Sequence, residues 1–261
     1  IRFVITVRNV FDHLNKLADI KLAEKWDNVG LMLGDFNSEV KNVLVCLDVT
    51  TTVVNEAITN NIDLIISHHP LIFKPLKSLN FTVDFKSNII KSLVKNDISV
   101  ISFHTNLDSA TYGLNDFLAK KLELKNIRIL FEHETYKNAG LGRIGELSEE
   151  FTQKEFITYI KEKFNLETIS AVLGNNDNIK TVALLGGSGA DFIYTLPEVD
   201  IYLTGDVGYH VALDALEMKK NIIDVGHFTE HLVKDLLLEY IGELSINVQK
   251  SKVEQSPFKT L

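Results

Sequence analysis

The sequence predicts an α/β protein of two tightly packed α/β domains, and three features of its 261 residues carry that prediction. Short apolar runs alternate with helical patterns, as in βαβ units built around a parallel sheet. Three of those runs end abruptly in histidine: Asp63-Leu-Ile-Ile-Ser-His-His-Pro70, Ser99-Val-Ile-Ser-Phe-His104 and Ile222-Ile-Asp-Val-Gly-His227. The order also echoes itself. Val43 to Asp108 reads strand, helix, strand, helix, strand, and Val182 to Glu230 repeats it, with Asp63-Leu-Ile-Ile-Ser-His aligned on Asp200-Ile-Tyr-Leu-Thr-Gly.

Each element has its own signal. Val10, Phe11, Leu14, Leu17 and Ala18 share one face of a helix over 7–18. Trp26-Asp-Asn-Val-Gly-Leu-Met-Leu-Gly-Asp35 reads as a loop and a strand, and Asn42 to Asp48 as a buried strand. Thr50 or Thr51 caps a helix reaching Asn60. After the His-His strand, Pro70 and Pro75 keep residues 71–74 irregular. Helices over 84–95 and 113–121 flank the second His strand. Ile127 to Phe131 is a strand, and Ala139-Gly-Leu-Gly-Arg-Ile-Gly145 reads as a glycine-rich turn leading into another. Phe156, Ile157, Ile160 and Phe164 face inward from a helix over 152–164. Strands over 168–173, 181–185 and 201–204 follow, then a helix over 209–218, the third His strand, a helix over 229–241 and an edge strand at 245–248. The seam falls near 124–140, giving a first domain of 1–124 with 222–261 and a second of 125–221.

Composition limits the function classes. Lys and Arg number 27 against 35 Asp and Glu, a net charge of -8, which disfavours nucleic acid as the main ligand. The single cysteine, Cys46, lies inside an apolar strand. That leaves no disulfide framework and no cysteine-based zinc site, and it places the chain in a reducing compartment, the cytoplasm. No apolar run reaches the roughly 20 residues of a membrane span, and the first residues lack a signal-peptide layout.

One histidine at a strand end is ordinarily a hydrogen-bonded rim residue. Four at three strand ends, in a fold that gathers such ends into one crevice, describe a metal site. Imidazole and carboxylate suit Zn, Fe, Mn, Ni or Co. His227 and Glu230, three apart, face the same way on a first helical turn. His68 and His69 diverge at their strand end and can serve two ions about 3.5–4 Å apart, with Asp108 or Glu230 as the bridge. Those donors leave coordination positions open, the condition for catalysis. His104 can be a ligand, a proton shuttle or a partner that orients a carboxylate, and the last two are favoured. Asp206 and His210 can line the pocket or serve as a cap and a surface residue. Gly186-Gly-Ser-Gly-Ala190 can cradle an anion or form a tight βα turn, and Lys74 and Arg143 can pair with phosphate. His13, His133 and His231 read as surface or structural.

Taken in order, Trp26-Asp-Asn-Val-Gly-Leu, Ser67-His-His-Pro-Leu-Ile-Phe73, His104-Thr-Asn-Leu-Asp108 with Gly113-Leu-Asn115, Gly140-Leu-Gly-Arg-Ile-Gly145, Gly186-Gly-Ser-Gly189, Thr204-Gly-Asp206 with His210, and Gly226-His-Phe-Thr-Glu230 carry a resemblance. The chain resembles the GTP cyclohydrolase 1 type 2 homologues, the YbgI-like or Nif-three-like proteins, over nearly its whole length. The resemblance implies two divalent ions held by His68, His69, Asp108, His227 and Glu230, two α/β domains in the compact form without a middle insertion, and a ring-shaped homohexamer. It points to a metal-dependent hydrolase acting on a small molecule such as a purine nucleotide, with His104 moving protons. A phosphoester hydrolase can use the same centre. A metal-binding scaffold or regulatory partner is the rival from another class.

Overall fold

The computed structural model describes residues 4–259. In chain order the elements begin with α1 (Val7–Leu17), β1 (Gly30–Leu33), β2 (Asn42–Cys46), α2 (Thr51–Thr59), β3 (Leu64–Ser67), α3 (Phe85–Lys95), β4 (Ser99–Ser102) and α4 (Thr105–Ser109). They continue with α5 (Leu114–Lys121), β5 (Lys125–Glu132), β6 (Gly140–Phe151), α6 (Gln153–Phe164), β7 (Ser170–Leu173), β8 (Ile179–Leu184), β9 (Ile201–Thr204), α7 (Tyr209–Glu217), β10 (Asn221–Asp224), α8 (Val233–Gly242) and β11 (Asn247–Lys250). One compact unit runs up to Ala110 and is completed by His231–Gln255; the other comprises Thr111–Glu230 with residues 256–259.

The first unit holds a five-stranded sheet in the order β1-β4-β3-β2-β11. β4, β3, β2 and β11 are parallel, and β1 lies antiparallel on the edge. Every residue of β3 and β4 is buried, as expected of central parallel strands covered on both faces. Leu44, Ile65 and Val100 pack with Val53, Ala57, Ile90 and Leu93 of α2 and α3 into one core. Local chemistry starts the helices: Thr6 and Asn9 form a reciprocal capping box for α1, and Asp84 accepts from Lys86 N and Ser87 N at the head of α3.

The second unit holds a six-stranded sheet, β5-β6-β8-β9-β10-β7. β8, β9 and β10 are parallel, while β7 lies antiparallel beside β10. This is the arrangement of β2, β3 and β4 with antiparallel β1, so the sequence echo is a repeated architecture. The start of the middle strand confirms it in detail. Asp63 Oδ2 accepts from Lys41 N and Asn42 N, both at 2.8 Å, and Asp200 Oδ2 accepts from Lys180 N at 2.9 Å and Thr181 N at 2.6 Å.

Some local expectations change. Gly140 to Gly145 is strand rather than turn, because glycine serves close approach there: a Cβ on Gly140 would lie 2.1 Å from the Phe131 carbonyl oxygen of β5. The helix expected from Thr229 begins instead as a 3-10 segment, His227–Leu232, before α8. The last strand starts at Asn247 and joins the sheet edge beside β2.

Arg143 has a structural role. It is 1% exposed, its Nε and Nη2 donate to Asp116 Oδ1 and Oδ2 at 2.8 and 3.0 Å, and Nη1 donates to the carbonyls of Gly140 and Gly142. Those bonds commit the guanidinium, so phosphate pairing falls away. Removing one partner of a buried pair strands the other charge. Arg143→Met should cost about 3–5 kcal/mol in denaturant titrations. The double variant with Asp116→Leu should lose clearly less than the sum of the two single losses.

Candidate metal centre

In the first unit, β3 ends by delivering His68 and His69, whose amides still bond to Cys46 O of β2 and to Leu47 O just beyond it. Their side chains turn to opposite neighbours. His68, fully buried, donates from Nδ1 to the Phe103 carbonyl at the end of β4, at 2.8 Å. His69 Nδ1 bonds Asp48 Oδ1 beyond β2, at 2.9 Å. His104 follows β4, and its Nδ1 bonds Asp27 Oδ1 at 2.9 Å. The nearest nitrogens of these three rings lie within 4.8 Å of one another, so the trio can hold a metal ion. Asp108, on α4 and 7% exposed, points Oδ1 at His68 Nε2 across 3.4 Å.

In the second unit, Gly226 (φ +80°) turns the chain out of β10 into the 3-10 segment. Residues three apart eclipse in a 3-10 helix. His227 Nε2 therefore stands 3.1 Å from Glu230 Oε2, with Glu230 only 3% exposed. His227 Nδ1 bonds Asp206 Oδ2 at 2.6 Å, just beyond β9. Partial burial raises the Asp206 pKa, but hydrogen bonds from Ser188 and His227 outweigh it and the carboxyl sits below its ordinary value.

The glycine-rich turn after β8 is held by side chains of the fold. Gly186 N donates to Asn115 Oδ1 and Gly189 N to Thr204 Oγ1, so these amides serve the fold. Gly187 has φ +68°, and a Cβ there would come within 2.7 Å of Glu230 Oε1. The turn makes room for that carboxylate.

The chain matches the family model Duf34/NIF3 (NGG1p interacting factor 3) over residues 5–257. The chain belongs to the Duf34/NIF3 family. A Clostridium acetobutylicum relative named GTP cyclohydrolase 1 type 2 homolog is 37% identical over 86% of this chain and 84% of its own. A Staphylococcus aureus relative of the same name is 30% identical over 91% of this chain and 94% of its own, in an alignment of 352 positions. That alignment is longer than the 261 residues here, so the relative carries inserted residues that this Duf34/NIF3 chain lacks. Among solved structures, a hypothetical protein of Staphylococcus aureus superimposes with a TM-score of 0.89 at 32% identity, covering 99% of this chain and 100% of that one. A Bacillus cereus protein related to NIF3 gives 0.89 at 26% identity, with 99% and 100% covered.

Within this Duf34/NIF3 chain the four strand-end histidines share one design. A carbonyl or carboxylate oxygen can only accept, so each Nδ1 carries a proton toward its tether, and Nε2 is the ring atom turned away from it. The other histidines differ. His133 Nδ1 accepts from Thr135 N and Tyr136 N, and His13 bonds the Tyr240 carbonyl through Nε2. His210 is exposed beside Tyr209, and His231 is half-buried with its pKa pushed down by burial. The donor chemistry fits a cation: Nε2 of His68 and of His227 each faces a buried carboxylate oxygen, and a positive charge there, proton or metal ion, satisfies both atoms.

The motif reading did not assign roles to Asp27 and Asp48, and it left Asp206 between two. All three orient a histidine. Asp27 is the most constrained: burial raises its pKa, yet hydrogen bonds from His104 and from the Thr105 hydroxyl and amide bring it down from 3.8 to about 2. A pKa depressed in the folded state stabilises the fold above the unfolded value and loses that contribution as pH falls through the folded one. In metal-free protein, Asp27→Asn should therefore cost about 2 kcal/mol at neutral pH. The gap to the parent should narrow as pH drops from about 4 to about 2, which urea unfolding across that window measures.

Proposed function

We propose that this Duf34/NIF3 chain is a dinuclear-metal-dependent hydrolase. His68, His69, Asp108, His227 and Glu230 serve as ligands to two divalent ions of the Zn, Fe, Mn, Ni and Co group. The observation that carries the reading is the orientation of the imidazoles: Nδ1 is tethered in His68, His69 and His227, and buried Asp108 and Glu230 face Nε2 of His68 and His227. Imidazole and carboxylate are donors that such ions take, and five are too many for one tetrahedral ion and too few to close two sites. When bound, a pair of such ions brings the pKa of water toward neutrality and supplies positive charge where an oxyanion develops.

The chain's own groups complete the chemistry. His104, tied through Nδ1 to Asp27, has its Nε2 available to take a proton from water and return it to a leaving nitrogen or oxygen. Asp27 keeps that ring in one tautomer. The substrate class comes from the relatives' name: a purine nucleotide, whose C8 is released as formate when water cleaves both of its bonds to nitrogen. The same groups would serve phosphoester hydrolysis. The reading takes the assembly to be the ring-shaped homohexamer that the resemblance implies.

The test is metal-loaded protein assayed against nucleotides and phosphoesters, with metal content measured in parallel. Asp108→Asn and Glu230→Gln should lose bound metal and turnover together. His104→Gln should keep its metal yet lose a hundredfold or more in turnover, within the ~10²–10⁴ range of general acid–base catalysis. An inert protein whose melting temperature collapses on chelation would instead be the metal-stabilised scaffold.

A further inference from the structure

Beside the first-unit histidines stands a pair of aromatic rings that the fold does not bury. Trp26 is 61% exposed and Phe73 43% exposed. Their ring centres lie 5.9 Å apart, edge to face, and 6.3 and 6.5 Å from the His104 ring. Exposed rings on loose loops would mean little, but these loops are fastened. Asp27, next to Trp26, bonds His104 and both the amide and hydroxyl of Thr105, and Glu24 N donates to Thr105 Oγ1. Asn28 Nδ2 donates to the carbonyl of Ile72, which ties the Trp26 loop to the residue preceding Phe73. The hydrogen bonds that orient His104 thus also fix where the indole stands. A rigid, solvent-facing π surface held beside candidate reacting groups is suited to stacking on a flat ring.

We propose that Trp26 and Phe73 form a stacking platform for the purine base of the substrate, setting the ring against the face formed by His68, His69 and His104. This inference rests on the reading of that face as the reaction site and adds to it the residues that select a heteroaromatic ring. The contact is to the base, so affinity follows the ring rather than the sugar phosphate.

Trp26 is the single tryptophan of the chain, so its emission reports on this spot alone. Guanosine 5′-monophosphate titrated into metal-loaded full-length protein, excited at the red edge of indole absorption, should quench that emission saturably, and ribose 5-phosphate should not. Phe73→Ala should weaken the nucleotide by about tenfold, Phe73→Leu by a similar factor, and Phe73→Tyr by less than twofold, with melting temperature and metal content unchanged. Absence of saturable quenching in protein with normal metal content would overturn the platform and leave the metal reading standing. Equal affinity for ribose 5-phosphate, or nucleotide affinity indifferent to Phe73→Ala, would overturn it too. An emission change that follows protein dilution rather than nucleotide would assign the rings to contact with a second copy. Failure of the metal reading shows separately, as protein that takes up no metal while still quenched by the nucleotide in chelator.

Discussion

A neutral imidazole offers one lone pair, and the partner of its other nitrogen decides where that lone pair points. In this chain the partner is supplied by strand register. Cys46, Ser67 and Ser102 lie side by side across β2, β3 and β4, so the residues just beyond them are neighbours. His68 takes the Phe103 carbonyl on one side, and His69 takes Asp48 on the other. Two adjacent residues on one strand are sent to opposite flanking strands, which is how consecutive histidines come to present separate Nε2 atoms. A slip of one residue would swap the faces and dissolve both tethers.

The second unit reuses the plan with different side chains. In register, Leu64 pairs with Ser99, and the pairing of Ile222 with Tyr202 places Asn221 beside Ile201. Asp108 follows Ser99 by nine residues and Glu230 follows Asn221 by nine, so the two buried carboxylates occupy equivalent places in the two repeats. By the same alignment Asp206 stands where the first unit has His69. One half is therefore rich in imidazole, while the other gives that position to an acid that orients its lone strand-end histidine. The shared bracing by Asp63 and Asp200 shows that the backbone plan has been kept while these strand ends changed.

What the sequence made legible follows from range. An apolar run ending in histidine is a local signal, and β3, β4 and β10 stood out because of it. The tether on His104 is not local: Asp27 lies 77 residues earlier in a loop, where nothing distinguishes it from a solvated acid. Glycine was ambiguous for a different reason. At Gly140 and Gly187 its use is to let another group come close, the Phe131 carbonyl and the Glu230 carboxylate respectively, and sequence cannot tell that use from a turn. Arg143 misled because a loop arginine and a fully buried one look alike until Asp116 is found beside it.

Under the proposed reading, the buried carboxylates turn this geometry into a competition between protons and metal. Glu230 and Asp108 each face an Nε2 at 3.1 and 3.4 Å, in surroundings nearly closed to water. With Nδ1 already protonated, a second proton on the ring would make an imidazolium and satisfy the carboxylate as an ion pair. A divalent ion would satisfy both acceptors at once and displace that proton. Under the proposed reading, metal uptake therefore releases protons, and acidity opposes it through the same atoms. The tethers bear on this balance. A carboxylate on Nδ1, as at His69 and His227, makes the ring a stronger base and a better ligand together, whereas the carbonyl on His68 adds no charge.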